Sequence, residues 1–201
     1  MATYAEERLA ALRANSKRIR ARSGQMERNV AAFLLGRRVP MSGAGSMKGD
    51  CEVETEKIGR IFIECKYSAG MDRDGSPRIR IDFRWFDKMH VDAVKMKARF
   101  AALVFQYHDV RFAKYVIIST DVLQKYDTLE RLTGAEIIDA GMKSGITMTK
   151  AMIDMAFSLH ERKLPVAILR CSRGDYVLTT LQEFKELIHD YPSDPDAGRV
   201  A

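Results

Sequence analysis

SGAGSMKGDCEVETEKIGRIFIECK, residues 42–66, holds two short extended runs that meet around Lys57-Ile58-Gly59-Arg60, the pattern of a β-hairpin. Gly43, Ala44, Gly45 and Gly49 make a flexible approach to Asp50. Side chains alternate along a strand, so Ile61, Ile63 and Cys65 share one face of the second run, and Phe62, Glu64 and Lys66 share the other. A turn near Lys57 brings Asp50, at the start of the first strand, beside Glu64, near the end of the second. Two carboxylates and an ammonium then converge.

Neighbouring carboxylates repel each other. Mg²⁺, a hard cation that prefers oxygen and keeps several waters, relieves that repulsion, and Mn²⁺ accepts the same ligands. Such an ion polarises a phosphoryl oxygen and acidifies bound water. Lys66 beside it would hold the attacking water or neutralise charge on the phosphate. The expected chemistry is metal-assisted phosphodiester hydrolysis.

The arrangement Asp50-x13-Glu64-Cys65-Lys66 resembles the PD-(D/E)XK nuclease superfamily, although Gly49 stands where the superfamily often has proline. Residues 23–30, SGQMERNV, open a helical run, and Pro40-Met41-Ser42-Gly43 precedes Asp50; this order is similar to archaeal-type and phage Holliday junction resolvases. The resemblance covers roughly residues 20–120. It implies an α/β fold of restriction-endonuclease-like core, a central mixed β-sheet flanked by helices, with the metal site on a central hairpin. Position by position it implies Glu27 as the helix glutamate of the metal site, Ser42 as the loop serine that contacts DNA and assists cleavage, and Asp50, Glu64 and Lys66 as the catalytic core. The metal would be held by Glu27, Asp50 and Glu64. The step from Glu27 to Ser42 is shorter than in the archaeal pattern.

The implied activity is that of a structure-selective endonuclease acting on four-way junctions or other branched DNA. Paired cuts on opposing strands call for a homodimer with two symmetric sites. Three alternatives remain open: a nuclease of the same superfamily acting on other DNA in repair, replication or restriction, a non-catalytic DNA-binding protein, and a structural role in which residues 125–201 bind a protein partner.

Charge supports a nucleic-acid partner. Of the formal +6, residues 1–48 carry +7, from ten Lys/Arg against three Asp/Glu, and the remainder carries −1. Arg13, Lys17, Arg18, Arg20 and Arg22 cluster ahead of the motif, and Arg37, Arg38 and Lys48 bracket its loop. Clustered cations release counterions from DNA and give salt-dependent affinity; the plain alternative is a solvated helix face. The stretch GAGSMKG is not a phosphate-binding P-loop, because Lys48 is followed by Gly49 and a strand rather than by Ser or Thr and a helix.

No run approaches the ~18 apolar residues of a spanning helix, and the N-terminus lacks the apolar segment of a signal peptide. The expectation is an intracellular, cytoplasmic protein, cellular or phage-encoded, with no membrane partner. Three cysteines without C-x-x-C spacing indicate neither a disulfide framework nor a zinc ribbon. Cys51 and Cys65, each following a proposed metal carboxylate, turn to the opposite face and read as small buried hydrophobes. His90, His108, His160 and His189 form no metal or relay pair.

Along the chain, residues 3–22 and 24–36 read as two helices, and 70–77 as a polar loop. Residues 82–97 form an amphipathic helix carrying Phe83, Phe86, Met89 and Val94, with Trp85 either in the core or stacked on a base. Residues 100–107 and 115–119 suit strands. Residues 129–159 read as two short helices joined at 141–145. A second hairpin spans 166–169 and 176–179, and Thr180 caps a helix through Leu187, with Glu183 completing a capping box. The expected organisation is N-terminal helices plus nuclease core over 1–125, a C-terminal part at 126–190 completing or extending the same domain, and a disordered tail at 191–201.

Overall fold

The computed structural model describes residues 4–39, 50–56, 58–108, 113–125, 132–160 and 164–189. Ser42, Lys48, the loop around them and the tail at 191–201 lie outside the described residues, as do the side chain and turn position of Lys57.

The elements run α1 (Tyr4–Phe33), β1 (Arg37–Arg38), β2 (Cys51–Thr55), β3 (Gly59–Ser68), β4 (Gly70–Met71), β5 (Pro77–Asp82), α2 (Arg84–Lys95), β6 (Phe100–Tyr107), β7 (Lys114–Ser119), α3 (Thr120–Lys125), β8 (Glu136–Asp139), β9 (Gly145–Thr149), α4 (Lys150–Leu159), β10 (Val166–Cys171), β11 (Gly174–Thr180) and α5 (Leu181–His189). Eight strands form one mixed sheet in the order β1-β2-β3-β6-β7-β11-β10-β8, and β4-β5-β9 form a second, small one. In the large sheet β3 pairs with β6 and β10 with β8 in parallel, and the other pairs are antiparallel. The parallel β3–β6 pair needs a crossover, which α2 supplies. The chain is thus an α/β protein built on a large mixed sheet flanked by helices.

Both faces of the sheet are covered, which is why β6, FAALVFQY, reads as a nearly unbroken apolar run. On one face Ile61, Ile63 and Cys65 pack with Met26 and Val30 of α1, with Leu34 just past its end, and with Phe184 and Ile188 of α5. On the other, Phe62 packs with Phe86 and Met89 of α2, Ile153 of α4, and Ile79, Ile81 and Met148 of the small sheet. Cys51, Cys65 and Cys171 are free and buried. Among the described residues no helix is long and apolar enough to cross a membrane.

Several local expectations are corrected. The two N-terminal helices are one helix of 30 residues. Gly24 costs about 1 kcal/mol in a helix interior, but Met26, Val30 and Leu34 anchor the following turns in the core. In place of the two short helices read over 129–159, the described residues 132–159 form strands β8 and β9 before a single helix, α4. The loop at 70–77 contains β4 and enters β5, with Asp72 accepting the backbone N–H groups of Asp74 and Ser76. Val94 is exposed, whereas Phe83, Phe86 and Met89 are buried as expected. The hairpin β10–β11 and the Thr180 cap form as read, with the Glu183 N–H donating to Thr180 Oγ1 at 3.2 Å.

Candidate active site

The β2–β3 register pairs Cys51 with Ile63. One step beyond the ladder the Asp50 N–H donates to the Ile63 carbonyl at 3.2 Å, which sets Asp50 at the level of Glu64. The Asp50 carboxylate accepts the backbone N–H of Cys65 at 2.6 Å. Glu64 and Lys66, two residues apart on β3, share the face toward α2, and their side chains form an ion pair. The Lys66 ammonium also lies 5.1 Å from the Trp85 ring centroid, at the first turn of α2. Trp85 is half-buried and packs at the edge of the core on that side. The sequence pointed to core or base stacking for it; its contact with Lys66 depends on how α2 lies over β3.

Burial, then the charge of Glu64, and more weakly that of Glu27, push the Asp50 carboxyl up to about 6. The Cys65 N–H and Lys66 pull the other way. A carboxylate raised by desolvation and a like charge is what a bound cation relieves, so the donor set of Asp50 and Glu64 fits a hard divalent ion.

Glu27 stands differently. It lies on α1, which packs on the Cys65 face of the sheet, and its carboxylate is held by Arg38 of β1 at 2.5 Å. Its backbone carbonyl accepts the Cys51 thiol at 3.2 Å. Glu27 is almost fully buried. Strand alternation turns Glu64 toward the other face, and among the described residues no three of His, Cys, Asp and Glu are grouped so as to hold a metal ion. Asp50 and Glu64 are therefore brought together with Lys66, while Glu27 reaches Asp50 through its charge.

The basic residues divide as well. Lys17, Arg18 and Arg20 are exposed on a length of α1 where residues 6–18 are exposed throughout. Arg37 pairs with Glu52 of β2. Arg22 is half-buried and donates to the Tyr67 hydroxyl at 3.2 Å. It also lies 2.7 Å from His108 Nε2. Neither Tyr67 nor His108 carried a sequence signal, because their meeting requires the ends of β3 and β6 to lie beside the interior of α1.

No protein-family model, curated protein or solved structure matches this chain.

Proposed function

We propose that this chain is a metal-dependent DNA endonuclease with a restriction-endonuclease-like core, and that it cuts branched DNA in the manner of Holliday junction resolvases. The observation that carries the reading is the placement of Asp50 beside Glu64, with Asp50 fixed on the Cys65 N–H and Lys66 beside Glu64. A divalent ion on these two carboxylates, Mg²⁺ or Mn²⁺, would polarise the scissile phosphate and acidify water.

The residues of the chain do the rest. The Cys65 N–H aims the Asp50 carboxylate, and Glu64 supplies the second oxygen donor. Lys66, leaving Glu64 for substrate, holds the attacking water or neutralises charge that develops on the phosphate. Glu27, clamped by Arg38, keeps the Asp50 site electronegative. Exposed Lys17, Arg18 and Arg20 supply counterion-releasing contacts to the DNA backbone, joined by Ser42 and Lys48 from the loop. A two-fold homodimer would give paired cuts on opposing strands.

The test is cleavage of a labelled immobile four-way junction, beside matched linear duplex and single strand, in Mg²⁺ or EDTA, with wild type and Asp50→Ala. Paired symmetric nicks on the junction alone, lost with EDTA and with Asp50→Ala, are expected. Metal-dependent cutting of every substrate would instead favour a repair, replication or restriction-like nuclease. Binding without cutting would leave only a DNA-binding protein.

A further inference from the structure

Arg37, Arg38, Arg84, Arg170 and Arg173 each lie within ion-pair distance of a carboxylate. Arg22 differs. Among the described residues its guanidinium has no carboxylate partner and meets the Tyr67 hydroxyl and the His108 ring instead. The Tyr67 hydroxyl lies 2.5 Å from His108 Nδ1, and the two rings meet edge to face with centroids 6.0 Å apart. The three groups come from α1, from β3 and from the residue after β6, and all are half-buried.

A second cation stands two strands along the same face of the sheet. Tyr67 pairs with Gln106, and Gln106 with Lys114 of β7. Directly paired residues point to one face, so Tyr67 and Lys114 stand in one row on the α1 side of the sheet. Lys114 is half-buried and, among the described residues, has no carboxylate in ion-pair range. Two half-buried cations without a counter-charge are costly. A phosphate oxyanion supplies both the charge and the acceptors that guanidinium, phenol and ammonium donors can use.

We infer that Arg22, Tyr67, His108 and Lys114 form a second phosphate site, which takes a backbone phosphate of the DNA other than the one being cut. The inference rests on the nuclease reading above. Tyr67 directly follows Lys66 in β3, so the two sites flank one strand end on opposite faces of the sheet. A DNA strand passing over that end would be held on one face and cut on the other, with Arg22 and Lys114 setting where the scissile phosphate stops.

The experiment is fluorescence anisotropy of a labelled four-way junction and a linear duplex in EDTA, over about 50–200 mM salt, a range in which phosphate contacts change affinity strongly. Wild type is compared with Arg22→Gln, Lys114→Gln and Arg173→Gln, the last at the β10–β11 turn. Arg22→Gln and Lys114→Gln are each expected to lower the slope of log affinity against log salt by about 1, and to bind about tenfold more weakly near 0.1 M salt, on both DNAs. Arg173→Gln should match wild type. Lys114 lies off α1, so its variant decides the matter even if Arg22→Gln loosens that helix. Wild-type slopes and affinities in both variants would overturn the second site and leave Mg²⁺-dependent cleavage at Asp50 standing. A wild-type protein that neither binds nor cuts DNA would remove the nuclease reading and this site with it.

Discussion

The Asp50 carboxylate accepts the backbone N–H of Cys65 at 2.6 Å, and this bond ties the residue just ahead of β2 to the stretch of β3 that carries Glu64 and Lys66. It holds the acid next to Glu64, at a position where burial and that neighbour's charge raise it to about 6.

Asp50 should therefore limit the stability of the metal-free protein. Its ordinary value of 3.8 applies in the unfolded chain and about 6 in the fold. Between these values the folded state binds the extra proton, so stability falls as pH rises from about 4 to about 6 and stays lower above that. The deficit is on the order of 3 kcal/mol. Asp50→Asn keeps an oxygen for the Cys65 N–H and cannot ionise. In urea unfolding with EDTA it should be about 1–3 kcal/mol more stable than wild type at pH 7.5, with that advantage gone below pH ~4, while cleavage is lost. An Asn variant less stable than wild type at pH 7.5 would contradict this account of the site.

Lys66 sits between Glu64 and the Trp85 ring. A cation–π contact of about 0.5–1 kcal/mol corresponds to a change of about two- to fivefold. Trp85→Leu, which keeps apolar bulk and removes the ring, should lower the single-turnover cleavage rate by that factor without weakening DNA binding. Lys66→Gln should lower it by about 10²-fold or more. Weaker DNA binding by Trp85→Leu at an unchanged cleavage rate would make the ring a base platform instead.

Arg38 holds Glu27 at 2.5 Å, and Glu27 is nearly buried. Arg38→Ala strands that carboxylate and should cost about 1–3 kcal/mol in thermal or urea unfolding. Adding Glu27→Gln should recover part of the loss, because no buried charge is then left unpaired. Equal stability of the single and double variants would show that the pair is not coupled.

Gly36 joins α1 to β1 against the backbone of β2. A Cβ there would lie 2.4 Å from the Glu52 carbonyl oxygen and 2.8 Å from Val53 Cγ2. Gly36→Ala must push β2 away from the helix junction, and should destabilise the fold by about 1–3 kcal/mol and lower cleavage by shifting Asp50. A stable, fully active Gly36→Ala would show that β2 tolerates the displacement.

The central hairpin was legible because alternation in residues 59–66 assigns every side chain to a face, and β6 and the β10–β11 hairpin carried equally plain patterns. The stretch from 136 to 149 was not. Glu136–Asp139 is four residues long and becomes a strand only by pairing with β10, while Gly145–Thr149 does so by pairing with β5. Strand preference in such short segments belongs to the partner more than to the segment. The break read at Ser23-Gly24 failed for a related reason, since packing of Met26 and Val30 outweighs a local propensity.

The sequence by itself determined the face of each residue in β3, the charge concentrated in the first 48 positions, the Thr180 cap and the burial of Cys51 and Cys65, all consequences of local periodicity and composition. Only the tertiary structure decided that the Asp50 carboxylate meets the Cys65 N–H, that Arg38 holds Glu27 on the side away from Glu64, that Trp85 covers Lys66, and that Arg22 meets Tyr67 and His108. Each of these contacts joins elements far apart in the chain or depends on how they cross, and such positions follow from the packing of whole helices and strands, which no local pattern encodes.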